Sequence, residues 1–251
     1  MIPKIIHYCW FSDEKKGKII RRCLHSWHKR LPEYRIRCWD KNSFDFCSVP
    51  FVEEAYRHKK YAFMSDYIRL HALYHEGGVY LDSDVEILKN ISPLLNNRFF
   101  CGTEIHPRDG KLMINIEAAI MGAEPRHPFI KALLDYYNDL HFENKDGSIN
   151  RIEMPLQISS IAEKSWGYNH VDMSQNLKDG ITIYPSSVFS GNNDPRAYQH
   201  RDQLYAYHHT VASWVDAETE LSHRGRFFHF CHKHDMMRFY GWVERINKIK
   251  C

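Results

Sequence analysis

Ser65-Asp-Tyr-Ile-Arg-Leu-His-Ala-Leu-Tyr-His-Glu-Gly-Gly-Val-Tyr-Leu-Asp-Ser-Asp84 predicts a helix, a double-glycine turn, a short buried strand and a pair of carboxylates at the strand's end. From Tyr61 to Glu76 the residues Phe63, Tyr67, Leu70 and Tyr74 recur at three- and four-residue steps, so they line one buried face. Gly77-Gly78 ends the helix, because glycine tolerates the left-handed cap geometry. Val79-Tyr80-Leu81 is short and apolar, as a buried strand is. Asp82 and Asp84 follow where that strand emerges, the edge at which open α/β sheets bind ligands. Two carboxylates held this close repel each other unless a cation lies between them. Their hard oxygens suit a divalent cation and, through it, a phosphate.

Other acid-x-acid pairs occur at Asp84/Glu86, Asp216/Glu218 and Glu218/Glu220, and read as solvated turns or charged helix faces. Only Asp82 and Asp84 directly follow helix, Gly-Gly and apolar strand. Asp66 and Arg69 are three apart and share a helix face. By spacing alone they form a surface ion pair worth about 0.2–0.5 kcal/mol.

Working outward, Ile5 to Phe11 reads as a central strand, 18–30 as a helix, Tyr34 to Trp39 as a strand and 51–60 as a helix. Ile87 to Leu95 reads as a loop with a helical turn near Pro93. Phe99 to Gly102 reads as a strand, Met113 to Gly122 alternates weakly, and His127 to Asn138 reads as a helix. Later elements are a helix at 155–165 and strands at Ile181–Tyr184 and Leu204–Tyr207. Strand–helix alternation over residues 1–140 predicts an α/β, Rossmann-like, mainly parallel sheet flanked by helices.

Composition narrows the function classes. Charged residues at 26% and hydrophobic ones at 43% are ordinary for a globular protein, and 251 residues suffice for a large core. A net charge of +3 gives no argument for a nucleic-acid partner. The seven cysteines are odd in number and form no C-x-x-C pair. The expected state is reduced and cytoplasmic, with Cys9, Cys38 and Cys101 as small core residues. The opening Ile2-Pro-Lys-Ile-Ile6 does not read as a leader, and no run approaches the roughly 20 apolar residues of a membrane span.

Three segments, taken in order, resemble one family. Ile2-Pro-Lys-Ile-Ile-His-Tyr-Cys-Trp-Phe11, then Ser65-Asp66-x-x-Arg69 with Gly77-Gly78-Val79-Tyr80-Leu81-Asp82-x-Asp84, then Tyr205-Ala-Tyr-His208-His209 with Ser213-Trp214 are similar to the motifs of the sugar-transferring glycosyltransferases with a DXD motif. That group includes bacterial capsule and lipopolysaccharide enzymes related to the yeast initiating α-1,6-mannosyltransferase. The large clostridial glucosylating toxins share the central motif. The resemblance implies a GT-A fold, a nucleotide-sugar donor (UDP- or GDP-linked), Mn²⁺ or Mg²⁺, a saccharide or glycolipid acceptor, and hexose transfer with retention. Residue by residue, Asp84 would ligate the metal and Asp82 would reach it through water while touching the donor. His208 would complete the shell, with His209 the second choice. Asp66 and Arg69 would grip sugar hydroxyls, Trp10 would stack on the base, and Ser213 and Trp214 would lie over the diphosphate. Asp66, Arg69, Asp82 and Asp84 thus form the expected catalytic set, and a catalytic domain spans residues 1–222. Ile152 to Gln157 departs from the Gly-Pro step that relatives often show. Asn115 and Glu117 could face the sugar but read first as a polar loop after a strand.

Rival readings come from other residues. Asp82, Asp84 and Glu86 could serve a metal-dependent nucleotidyltransferase or phosphohydrolase, although two-metal chemistry usually wants further carboxylates. His229, Cys231, His232, His234 and Asp235 fit no closed zinc site, since adjacent residues rarely share one ion. The basic, aromatic C-terminal extension 223–251 is either a final helix packed on the core or a peripheral foot on an anionic membrane through residues 224–251.

Overall fold

Ile5–Cys9 (β1) is a near-continuous apolar run, and such runs form strands covered on both faces. In the computed structural model it lies between Arg35–Trp39 (β2) and Gly78–Leu81 (β3), parallel to both. The structure describes residues 1–108, 111–150, 153–191 and 203–210. The chain divides into two units, Met1–His209 and Thr210–Cys251. Ser213, Trp214, the expected boundary at 222, the 229–235 cluster and the basic aromatic extension all lie outside the described residues.

The remaining elements are α1 (Lys18–Arg30), α2 (Pro50–Arg57), α3 (Tyr61–Glu76), β4 (Val85–Ile87), β5 (Phe99–Arg108), β6 (Lys111–Ala123), α4 (Pro128–Tyr136), α5 (Met154–Trp166), β7 (Gln175–Leu177), β8 (Ile181–Tyr184), β9 (Phe189–Gly191) and β10 (Ala206–His208). The main sheet has the order β2-β1-β3-β6-β5-β8-β7. Only β6 and β7 run against the other strands, so the sheet is mixed but mainly parallel. This is the α/β class expected from the sequence. A second sheet has the order β4-β10-β9, with β10 antiparallel to β4 and parallel to β9.

Side chains alternate across the main sheet and feed two cores. Tyr80, Phe99, Cys101 and Met121 point to one face, where they meet Phe51 and Val52 of α2, Phe63 and Leu70 of α3, Phe129 of α4 and Ile158 of α5. Ile6, Tyr8, Val79, Leu81 and Phe100 point to the other, where they meet Trp27 of α1, Val85 of β4, Phe189 of β9 and Ala206 of β10. Among the described residues no helix is long and apolar enough to cross a membrane.

The structure adjusts several expectations. Helix α3 is buried over Phe63, Met64, Ile68, Leu70, Ala72 and Leu73, a wider face than the stripe implied. It packs between the sheet and both α2 and α4, so Tyr67 and Tyr74 are only half-buried at its margins. Strand β5 runs six residues past the expected Gly102, to Arg108. Strands β4, β7 and β9 have three residues each, too short for a periodic signal.

Both glycines at 77 and 78 are required, for different reasons. Gly77 has φ +65°, and a Cβ there would come within 2.6 Å of Pro125. Gly78 has φ +108°, and a Cβ there would come within 2.6 Å of the Ile5 carbonyl oxygen. The chain thus turns out of α3 and enters β3 directly against β1, with the His7 ring 2.8 Å from the Gly77 carbonyl. We expect Gly78→Ala to destabilise the fold by about 2 kcal/mol or more, from positive-φ strain plus a backbone clash. The urea unfolding midpoint measures this, and an unchanged midpoint would contradict the close approach.

Candidate active site

Strand β3 belongs to the main sheet and β4 to the small one, so the chain changes sheets within Asp82-Ser83-Asp84. The turn is tight. The Asp82 backbone N–H donates to the Ala119 carbonyl at 2.9 Å, and the Val85 N–H donates back to the Asp82 carbonyl at 2.9 Å. Asp82 is left half-buried, and Asp84 is buried.

Strand β10 reaches the same turn from over a hundred residues away. Its register sets His208 opposite Val85, and the next backbone N–H, that of His209, donates to the Asp84 carbonyl at 3.0 Å. The His208 Nε2 lies 3.4 Å from Asp84 Oδ1, and its Nδ1 lies 3.5 Å from Glu117 Oε1. One ligand atom from each of Asp82, Asp84 and His208 falls within 4.8 Å of the others. Two carboxylates and an imidazole so placed are a donor set that Mn²⁺ accepts well. Burial disfavours a charged His208, but Asp84 and Glu117 outweigh it and hold its pKa well above the usual histidine range.

The adjacent residue does something else. His209 Nε2 sits 3.0 Å from Glu86 Oε2, and Arg22 reaches the same carboxylate at 3.0 Å. Glu86 therefore ties α1, β4 and the end of β10 together, and it is not among the three residues whose ligand atoms converge.

Behind Asp82 stands Arg69. Its side chain is only 5% exposed, and its Nη2 lies 2.9 Å from Asp66 Oδ1 and 3.4 Å from Asp82 Oδ1. Its Nη1 donates to the Ala118 carbonyl at 2.6 Å and its Nε to the Ser65 carbonyl at 3.2 Å. The guanidinium also lies over the Tyr80 ring, 4.7 Å from its centre, while the Tyr80 hydroxyl donates to Asp82 Oδ1 at 2.9 Å. The ion pair expected from spacing exists, but it is buried and turned toward the strand ends instead of lying on the surface. Spacing shows that two residues share a helix face; it does not show whether that face is covered. Burial pushes the Asp66 carboxyl up to about 7, with Asp82 adding to the rise and Arg69 opposing it.

Strand β6 explains how these groups meet. Cys101 of β5 faces Met121 and Thr103 faces Ile116, so Glu117 to Ile120 bulge opposite the single residue Gly102. The Ala118 carbonyl within the bulge accepts from Arg69, while the Ala119 carbonyl accepts the Asp82 N–H in continuation of the β3–β6 register. Asn115 and Glu117, expected in a polar loop, are instead buried within β6, at 1% and 4% exposure. The alternation Ile114-Asn-Ile-Glu117 inside an apolar run is the signal that would have placed them there. Burial raises the Glu117 carboxyl above its usual range, and His208 pulls it down.

Trp10 follows β1 at the same sheet edge, half-buried, with the Lys16 ammonium 4.8 Å over its ring. Ser213 and Trp214 lie outside the described residues.

Residues 18–100 match the family described as a glycosyltransferase sugar-binding region containing the DXD motif. Over 227 residues the chain is 28% identical to an uncharacterised glycosyltransferase of Acanthamoeba polyphaga mimivirus, covering 86% of this chain and 84% of that one. Over 154 residues it is 31% identical to a mannosyl phosphorylinositol ceramide synthase of Saccharomyces cerevisiae, covering 57% of this chain but only 37% of the yeast protein. Among solved structures, mouse xyloside xylosyltransferase 1 aligns with a TM-score of 0.47 at 9% identity, covering 83% of this chain and 98% of that one.

Removing the buried guanidinium while leaving its carboxylates should cost about 3–5 kcal/mol, the usual penalty for breaking a buried ion pair. Arg69→Ala should therefore lower the urea midpoint sharply, and adding Asp66→Asn should recover part of the loss. A loss under about 1 kcal/mol would mean that Arg69 does not hold this corner together.

Proposed function

From the premise that this chain belongs to the glycosyltransferase family whose sugar-binding region contains the DXD motif, we propose that it moves a hexose from a nucleotide sugar to a saccharide or lipid-linked saccharide acceptor, with retention at the anomeric carbon. The observation that carries this reading is the convergence of Asp82, Asp84 and His208 within 4.8 Å at the end of β3. Asp84 and His208, with Asp82 beside them, would hold Mn²⁺ or Mg²⁺, which neutralises charge on the departing diphosphate.

The protein's own residues supply the rest. Tyr80 and Arg69 pin one oxygen of Asp82, leaving the other oxygen to face the donor. Asp66 and Arg69 orient sugar hydroxyls, and a buried, rigid pair fixes geometry better than a solvated one. Trp10, at the same edge, offers a face for the base, with Ser213 and Trp214 assigned to the diphosphate. Fungal relatives include inositol phosphoceramide mannosyltransferases of Schizosaccharomyces pombe, which favours mannose as the hexose and a lipid as the acceptor. Surface-polysaccharide assembly, as in capsule or lipopolysaccharide, and a peripheral site on the inner face of the plasma membrane belong to the same proposal. So does a domain division near residue 222, with the basic extension beyond it meeting anionic lipid.

The phosphohydrolase alternative needs further carboxylates at the metal. Glu86, the nearest candidate in sequence, is engaged by Arg22 and His209.

A nucleotide-sugar hydrolysis screen with Mn²⁺, including GDP-mannose and UDP-hexoses, tests the proposal. We expect nucleotide release from one donor, abolished by EDTA and reduced about 100-fold or more in Asp84→Ala, the scale of losing a main electrostatic contact to the leaving group. The same samples should bind UDP or GDP in a Mn²⁺-dependent way. Failure to bind either nucleotide would overturn the reading.

A further inference from the structure

The bulge in β6 does more than supply a carbonyl to Arg69. It carries Glu117, whose side chain is buried beside the inner nitrogen of His208. That ring has two different neighbours. Its Nε2 faces Asp84 at 3.4 Å, on the side where Asp82 and Asp84 converge, and its Nδ1 faces Glu117 Oε1 at 3.5 Å. Space for Glu117 comes from Gly102, where a Cβ would approach Glu117 Oε2 and the Phe189 Cβ to 3.0 Å. A carboxylate with little access to water, in a bulge facing a glycine, is an expensive feature to build. The network that holds Asp82 does not use it.

We propose that Glu117 is a positioning residue for the cation site: it accepts the Nδ1–H of His208, and so fixes the tautomer whose Nε2 lone pair faces Asp82 and Asp84. A metal-bound imidazole commonly donates its other N–H to a carboxylate, which fixes ring orientation and raises the basicity of the ligating nitrogen. Three observations fit that role. The two ring nitrogens point at different carboxylates. Glu117 comes from a strand of the main sheet, whereas His208 comes from the small sheet, so the contact locks one sheet's ligand against the other sheet. The second oxygen, Oε2, is buried and meets no hydrogen-bond partner among the described residues, so no competing bond there turns Glu117 elsewhere.

This inference rests on the cation site proposed above, and Mn²⁺ binding to the full chain, followed by calorimetry or by the electron paramagnetic resonance of free Mn²⁺, separates the two. Wild type should bind Mn²⁺. Glu117→Ala should weaken binding about 10- to 100-fold, the usual cost of losing a group that orients a metal ligand. Glu117→Gln should fall between them, because the amide oxygen still accepts the Nδ1–H without the charge. In a His208→Ala background, Glu117→Ala should change Mn²⁺ affinity no further, since its effect passes through the imidazole. Thermal unfolding confirms that each variant is folded; if Glu117→Ala does not fold, the isosteric Gln variant carries the comparison in both backgrounds. No Mn²⁺ binding by wild type would overturn the cation site and this proposal together. Wild-type binding that Glu117→Gln and Glu117→Ala leave unchanged would overturn this proposal alone. So would Glu117 substitutions that weaken binding equally with and without His208.

Discussion

The buried guanidinium of Arg69 is the constraint on which the site depends. Left in an apolar interior, an arginine would cost several kcal/mol, and the protein offsets that cost by surrounding it with acceptors. Asp66 comes from the same helix, Asp82 from the end of the next strand, and the Ala118 carbonyl from the bulge in β6. Each acceptor also has a geometric consequence. Asp82 cannot rotate into solvent without abandoning both Arg69 and the Tyr80 hydroxyl. The bulge cannot flatten without stranding the Ala118 carbonyl, and the flattened strand would carry Glu117 away from His208. One cation thus holds the helix, the DXD turn and β6 in a single arrangement.

The second constraint is topological. A parallel sheet leaves its ligands at the carboxyl ends of its strands, and β1 and β3 both end at the edge where Trp10 and Asp82 stand. The chain then leaves the main sheet and builds a small sheet on one side of it. Strand β10 enters that sheet antiparallel to β4, which sets His208 beside the turn that carries Asp84. A nucleotide-sugar enzyme needs a rigid, partly dry place for a cation and a diphosphate, because charge stabilisation is strongest where water is scarce. Two sheets meeting at one turn provide such a place without any single segment carrying all the ligands.

Much of this was legible in the residues. The helix ending at Gly77-Gly78, the strand through Leu81 and the carboxylates after it follow from periodicity, from the freedom of glycine at positive φ and from the length of the apolar run. What could not be read has specific causes. Strand β4 has three residues, so no alternation marks it. The choice between His208 and His209 depends on the register of β10 against β4, a long-range property that a His-His pair does not encode. The Asp66–Arg69 pair was visible as spacing, but its burial depends on α3 being enclosed by the sheet, α2 and α4. The β6 bulge left no local mark, since it is defined by a mismatch with β5, so the meeting of Glu117 with His208 could not be read even where the alternation from Ile114 to Glu117 marks a strand.

The central claim is that the end of β3 and the end of β10 make one cation site. Crystals grown with Mn²⁺ and a nucleoside diphosphate, measured with X-rays at the manganese absorption edge, test it most directly. A single strong anomalous peak is expected within bonding distance of Asp84 and His208 and close to Asp82. A peak on His209 and Glu86, or bound nucleotide with no peak between Asp82, Asp84 and His208, would contradict it.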